Sequence, residues 1–261
     1  MKPFLAVVTG LLLTCATLRA GQTIQVAAAV SLRESFVEIA KQYENDTGDR
    51  AELTFGSSGQ LAAQIKSGAP IDVFVSAANA QVEELSKANL IDDTTRRTIA
   101  GNELVLVAPR DSKNAPTGFA QLAADSVQRI AVGEPRTVPA GQYAQQVLRA
   151  LDLNEKVRDR LIYGANVRQV LDYVIRGEVS AGIVYKTDAI DAGEKVRVIA
   201  TADPKWHEPI VYPAAVIRSS ARRDASRRFL DYLGSDKAMS ILQAHGFTPA
   251  SPASPTSPTS R

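Results

Sequence analysis

Residues 23–45, TIQVAAAVSLRESFVEIAKQYEN, decide the fold because they join a strand signal directly to a helix signal. The first seven residues are mostly apolar or small and contain no turn former, which predicts a strand. From residue 32 onward, apolar side chains recur at helical spacing and predict an amphipathic helix over 32–45. These side chains are Leu32, Phe36, Ile39 and Tyr43. Ser31 therefore lies at a junction between a strand and a helix.

The same alternation continues along the chain. It predicts strands at 50–55, 72–76, 104–108, 128–132, 181–185, 196–200 and 211–217, and helices at 61–66, 80–87, 142–151, 167–176, 225–233 and 236–243. This order is typical of α/β units with parallel strands. A length of 261 residues exceeds most single cores and predicts two such units.

Three more junctions resemble the one in AVSL at 29–32: GSSG at 56–59, VPAG at 138–141 and NVR at 166–168. The first turn of each following helix has backbone N–H groups without an intrahelical partner. One helix start is equivalent to about half a positive charge, so several in one cleft can hold an anion without Lys or Arg. Ligands of open α/β sheets lie outside the carboxyl ends of the strands. The junctions therefore predict an anion site.

Each junction also has a purely structural interpretation. Ser31 with Glu34 fits the capping box S-x-x-E, and Ser57 with Gln60 fits S-x-x-Q. The glycines at these junctions are equally well explained as turn residues, and Pro139 as a rigid helix start. The residues alone leave both interpretations open.

The N-terminus predicts a secretory signal peptide at 1–20, with Lys2 before an apolar run at 4–13 and small residues ahead of Gly21. We expect cleavage after Ala20 and export of the remaining chain. The residues LLTC at 12–15 loosely match a bacterial lipobox, so a lipid anchor at Cys15 is the alternative. Because Cys15 is the only cysteine and leaves with the signal, the exported chain is predicted to contain no disulfide.

Charge and motifs argue against two classes of function. Without Lys2 and Arg19 the chain has 28 basic and 28 acidic residues, which provides no basic surface for nucleic acid or anionic membranes. His207 and His245 are the only histidines, and the sequence shows neither a nucleophile elbow nor the spacing of a triad or cation site. An enzyme and a free-cation site are therefore not expected.

Several segments together strongly resemble the periplasmic molybdate-binding proteins of ABC importers. They are AAVSL at 28–32, SGAPIDVFVSA at 67–77, GNELVLVAP at 101–109, GEPRTVPAG at 133–141, GIVY at 182–185, YL at 232–233 and GFT at 246–248. The resemblance implies an α/β type II periplasmic-binding fold whose two lobes are joined by crossover strands and close on a ligand.

The resemblance also implies the division of the chain. Lobe 1 is expected at 21–101 and again at 212–248, and lobe 2 at 102–211, with boundaries near Asn102 and Tyr212. The remaining residues, 249–261, consist mainly of Pro, Ser, Thr and Ala and predict a disordered tail.

The molybdate contacts of this family fall on five positions of this sequence: Ser31, Ser58, Ala140, Val167 and Tyr185. The three hydroxyls donate, while Ala140 and Val167 contribute backbone N–H groups. Donors alone suit a fully deprotonated tetrahedral dianion, whereas monoprotonated phosphate also requires an acceptor. Tungstate should bind almost equally well, and only cavity size separates sulfate from molybdate.

Two positions depart from the family pattern. Asn166 replaces an acidic residue that many relatives have there, and it is a good helix N-cap. Gly59 replaces a common serine, which removes one possible auxiliary donor. Neither change removes one of the five contacts.

The resemblance implies a monomeric solute-binding protein, without a cofactor, that delivers molybdate or tungstate to an inner-membrane ABC permease with its ATPase. Two alternatives stay open at this point. One is a binding protein for sulfate or another small anion, and the other is a ligand-sensing module that signals through a partner.

Overall fold

The computed structural model describes residues 21–250 and contains two α/β lobes, each built on a five-stranded sheet. The predicted signal peptide with Cys15, and residues 251–261 of the predicted tail, lie outside the described residues. None of the described helices is long and apolar enough to cross a membrane.

The strands and helices in chain order have the following bounds. The strands are β1 (Thr23–Ala29), β2 (Arg50–Gly56), β3 (Val73–Val75), β4 (Ile91–Gly101), β5 (Leu104–Pro109), β6 (Ile130–Gly133), β7 (Leu161–Gly164), β8 (Ala181–Tyr185), β9 (Val196–Thr201) and β10 (Val211–Ile217). The helices are α1 (Arg33–Thr47), α2 (Ser58–Lys66), α3 (Asn79–Lys87), α4 (Pro139–Ala150), α5 (Asn154–Val157), α6 (Val167–Ile175), α7 (Lys186–Ala192), α8 (Arg223–Leu233) and α9 (Asp236–Ala244).

The two sheets have equivalent topologies. The order is β2-β1-β3-β10-β4 in lobe 1 and β7-β6-β8-β5-β9 in lobe 2. In each sheet the first three strands are parallel, and the fourth, which arrives from the other lobe, is antiparallel to both neighbours. The chain leaves the lobe 1 sheet after Gly101 and returns to it at Val211, beside the predicted boundaries Asn102 and Tyr212.

The three parallel strands of each sheet agree with the predicted α/β units, and the antiparallel fourth strand, β10 or β5, enters from the opposite lobe, as the crossover strands implied by the resemblance do. The sequence patterns missed β4, β7, α5 and α7. Strand β4 has the sequence IDDTTRRTIAG, whose polar centre lacks the alternation of a half-buried strand. It lies at the edge of the lobe 1 sheet, where burial on one side is incomplete.

The C-terminal helices complete the core of lobe 1. Tyr43 of α1 packs edge to face against Phe229 of α8, with ring centroids 5.1 Å apart, and both side chains are fully buried. Arg228 on the same helix pairs with the buried carboxylate of Asp49. Helix α1 ends at Gly48, which adopts a left-handed backbone with φ of 75°. The return segment is thereby fixed to the first half of its lobe.

The start of α4 lies directly against the end of β6. An added Cβ at Gly141 would lie 2.1 Å from the carbonyl oxygen of Gly133, far inside van der Waals contact. Only glycine permits this approach, which places the first turn of α4 beside the carboxyl end of the sheet.

We expect Gly141→Ala to lower the free energy of unfolding by about 1–3 kcal/mol, because the new methyl group forces α4 away from β6. Urea denaturation measures this change. Gly118→Ala is the matched control, since Gly118 has an extended φ of 173° and an added Cβ there meets no atom within 4 Å. Equal midpoints for Gly141→Ala and wild type would contradict the close-approach argument.

Candidate functional site

A small cavity lies between the two lobes, at the carboxyl ends of their parallel strands. The free volume between its walls is about 10 Å³. Its walls comprise Ala29, Val30, Ser31, Gly56, Ser57, Ser58 and Ala77 from lobe 1, and Val138, Pro139, Ala140, Val167 and Tyr185 from lobe 2. All five residues singled out by the resemblance line this cavity, although their contacts with a ligand remain a prediction.

Ser31 faces the cavity instead of capping a helix. It lies in a 3-10 turn, Val30–Leu32, between β1 and α1, and it is buried. The N-cap of α1 is Leu32, without a side-chain hydrogen bond, so the capping-box interpretation of Ser31 was wrong. Its hydroxyl lies 3.0 Å from the hydroxyl of Tyr212.

The two serines of GSSG have separate roles. Ser57 is the N-cap of α2 and accepts a hydrogen bond from the backbone N–H of Gln60 at 3.4 Å, as its capping interpretation predicts. Ser58 is the first residue of α2, is fully buried, and accepts from the N–H of Ala77 at 3.0 Å. Because that bond uses only the oxygen of Ser58, its hydroxyl proton is available to a ligand.

Lobe 2 contributes two helix starts. Ala140 is the second residue of α4, and Val167 is the first residue of α6. Backbone N–H groups at these positions have no partner within their own helix. Asn166 caps α6 by accepting from the N–H of Gln169 at 3.0 Å, which confirms its prediction as an N-cap. Both helices direct the positive ends of their dipoles toward the cavity.

Tyr185 ends β8 and reaches across to lobe 1. Its hydroxyl lies 3.4 Å from the carbonyl oxygen of Ala77, which accepts a long hydrogen bond. Burial raises the pKa of Tyr185 well above its ordinary value. The phenol therefore stays protonated and can act as a hydrogen-bond donor at any physiological pH.

Two polar residues that sequence reasoning did not assign to the site support Ser31. The side-chain amide of Asn102 donates to the Tyr212 hydroxyl at 3.1 Å and to Thr187 at 3.0 Å. When Asn102 donates to Tyr212, Tyr212 can donate to Ser31, and the proton of Ser31 is left for the cavity. In the sequence Tyr212 looks like an ordinary aromatic residue of a buried strand, so no local signal revealed this relay.

No charged side chain of the described residues lines the cavity. Arg168, next to Val167, instead turns to Glu34 of lobe 1 at 2.7 Å, with Asp191 at 3.7 Å and Asp188 at 3.9 Å. The Glu34 and Arg168 pair joins the two lobes beside the cavity. A guanidinium is thus neutralised locally and is not presented to a ligand.

The histidines lie outside the cavity walls. His245 is the C-cap of α9 and contacts Glu38 at 3.2 Å. His207 contacts the carbonyl oxygen of Glu208 at 2.7 Å through its Nδ1 atom. Within residues 21–250, no group of three or more His, Cys, Asp or Glu side chains is arranged to hold a metal ion.

The chemistry of the cavity is that of an oxyanion receptor. Three hydroxyls and the first turns of two helices converge on a space without carboxylates, and hydroxyl or amide donors suit oxygen atoms that carry negative charge. A free volume of about 10 Å³ is far below the 300–1,000 Å³ that is common for organic ligands. The cavity therefore fits an inorganic oxyanion better than an organic acid.

Comparison with known proteins agrees with this geometry. Residues 24–248 match a family described as bacterial extracellular solute-binding protein. A Bacillus subtilis protein provisionally named an ABC transporter substrate-binding lipoprotein is 40% identical over 87% of this chain and 86% of its own. A molybdate-binding protein of Haemophilus influenzae is 38% identical over 88% of this chain and 91% of its own length. The structure of the periplasmic molybdate-binding protein of Azotobacter vinelandii superposes with a TM-score of 0.79 at 26% identity. The match covers 87% of this chain and 100% of that one.

We expect the stability of the protein to depend on pH through Asp188. Burial raises the pKa of this carboxyl to about 7, and Arg168 opposes the shift only in part. Because the folded state keeps this proton to a higher pH than the unfolded chain, the free energy of unfolding falls as pH rises from about 4 to about 7. At 1.36 kcal/mol per pKa unit, the contribution of Asp188 is at most about 4 kcal/mol.

Asp188→Asn should remove this contribution, so its stability relative to wild type should increase as pH rises through that interval. Urea denaturation at several pH values measures the difference. Asp159→Asn is the matched control because the side chain of Asp159 is 95% exposed. A constant difference between Asp188→Asn and wild type from pH 4 to 7 would contradict the assignment.

Proposed function

The chain belongs to the bacterial extracellular solute-binding proteins, and on that premise we propose that it captures molybdate, and tungstate with it, in the periplasm for delivery to an ABC permease. The observation that carries this proposal is the cavity between the lobes. Its walls offer hydroxyl and N–H donors, and none of the described residues that line it has a charged side chain. The similarity to molybdate-binding proteins supports the choice of anion.

The donor set favours a dianion that has lost all its protons. Ser31 and Ser58 can each donate one hydrogen bond, Tyr185 can donate one when its hydroxyl turns from the carbonyl oxygen of Ala77 to the ligand, and Ala140 and Val167 each offer an N–H group. Monoprotonated phosphate would place its own O–H against donors, with no carboxylate on the walls to accept it. Molybdate, tungstate and sulfate all carry two charges and four acceptor oxygens, so charge does not separate them.

The proposed mechanism is capture followed by closure. Lobe 1 presents Ser31 and Ser58, and lobe 2 presents Ala140, Val167 and Tyr185. An anion that contacts both walls stabilises the closed form by the interactions that it makes only there. The closed protein then docks on an inner-membrane permease, whose ATPase drives release and transport.

The proposal predicts a ranking of inorganic anions. In titration calorimetry we expect tight binding of molybdate and tungstate, weaker binding of sulfate and no measurable binding of phosphate. Equally tight binding of sulfate would favour the alternative of a general dianion receptor, because the cavity would then not select by size. The absence of measurable binding of all four anions would contradict the proposal.

We expect Ser31→Ala, Ser58→Ala and Tyr185→Phe each to weaken molybdate binding by about 1–3 kcal/mol, the range for a hydrogen bond to a charged group. Calorimetry of the three variants measures the losses.

Ser35→Ala and Tyr143→Phe are the matched controls for these variants. Each control removes a buried hydroxyl that lies outside the cavity walls and donates to a backbone carbonyl oxygen. Ser35 donates to Leu32 at 3.1 Å, and Tyr143 donates to Pro209 at 3.5 Å. Wild-type affinity in all three site variants would show that the assignment of the binding residues is wrong.

A further inference from the structure

The two lobes make a backbone contact at the rim of the cavity. Gly59, the second residue of α2 in lobe 1, donates its N–H to the carbonyl oxygen of Thr137 in lobe 2 at 2.9 Å. Gly59 directly follows Ser58, and Thr137 lies three residues before Ala140. The contact thus joins the two cavity walls close to donors on both sides.

The missing side chain at Gly59 is what allows this approach. An added Cβ would lie 2.6 Å from the oxygen of Thr137, 2.7 Å from its Cα and 3.0 Å from its carbonyl carbon. All three are backbone atoms, so no change of rotamer can relieve the overlap. Since ordinary contact begins at 3.4 Å, a side chain here keeps the two segments apart by about 0.8 Å.

The contact at Gly59 differs from those of other glycines near the cavity. A Cβ at Gly56 would meet the side chain of Leu61, and a Cβ at Gly141 would meet the backbone of Gly133, each within its own lobe. Gly59 lies in the first turn of a regular helix, so the reason for glycine there is the approach of the opposite lobe.

We propose that Gly59 sets the distance to which the lobes close over the oxyanion and is therefore a positioning residue for the binding site; this inference rests on the proposed function. Hydrogen bonds form at donor to acceptor distances of about 2.7–3.2 Å and weaken steeply beyond them. A separation of 0.8 Å moves Ser58 away from Ala140 and pulls one wall out of range of an anion held by the other. The chain thereby forgoes a possible serine donor and gains closer approach.

The test is Gly59→Ala, with Gly118→Ala as the matched control outside the cavity walls. Alanine is preferred to serine because it adds the Cβ without a new hydroxyl. Titration with molybdate should show an affinity about ten- to hundred-fold lower for Gly59→Ala, the size expected for overpacking a close contact. The loss should appear as faster dissociation in stopped-flow measurements, because the closed state is destabilised.

A second readout separates positioning from a general structural role. In the ligand-free protein the midpoint of unfolding of Gly59→Ala should equal or exceed that of wild type, because alanine stabilises a helix relative to glycine and, on this inference, the contact with Thr137 forms only when the lobes close. Gly118→Ala should keep the wild-type affinity.

Each outcome of the test has a separate meaning. Equal affinities of Gly59→Ala and wild type would overturn the inference alone. A lowered ligand-free midpoint for Gly59→Ala would also overturn it, because the glycine would then serve the fold of lobe 1. A wild-type protein that binds neither molybdate, tungstate, sulfate nor phosphate would overturn the proposed function together with this inference.

Discussion

The proposed function places one electrostatic constraint on the structure: a doubly charged anion would have to be held without a charged side chain on the walls of the described cavity. The substitute for a countercharge is a set of backbone N–H groups at helix starts, each with the partial positive charge of its dipole. Helix starts are brought together where parallel strands end, so the two sheets must direct their carboxyl ends at each other. The three parallel strands at one side of each sheet meet this requirement.

Because the two halves of the cavity lie on separate lobes, the chain segments that connect the lobes must leave both sheets intact. The crossing strands β5 and β10 lie in the fourth position of their sheets, beside the parallel strands and antiparallel to them. Asn102 and Tyr212 lie at the two crossings and bond each other, and Tyr212 also contacts Ser31 in the cavity. The connection between the lobes and the cavity therefore share one hydrogen-bond network, which links the position of the lobes to the orientation of Ser31, a proposed ligand donor.

The sequence predicted the elements whose signal is local and missed those that depend on distant contacts. Most of the strands and helices, and the caps Ser57 and Asn166, follow from spacing and capping chemistry. The position of Ser31 on the cavity wall was implied only by the resemblance, because a capping box and a cavity serine look alike until Tyr212, 181 residues away, is placed beside it. Gly59 likewise reads as a turn residue, since its neighbour Thr137 belongs to the other lobe.

Selectivity in such a site must come from distance. Hydroxyl and amide donors contact the charged oxygen atoms of a tetrahedral dianion and do not contact its central atom. For these donors, such dianions therefore differ only in size. The size of an anion is measured by the gap between the two walls, and that gap is limited by the contacts between the lobes. One of these contacts joins the backbones of α2 and of the segment leading into α4, and backbone atoms cannot yield by changing rotamer. A fixed stop of this kind converts a difference of a few tenths of an ångström between anions into a difference in the number of hydrogen bonds that the closed form can make.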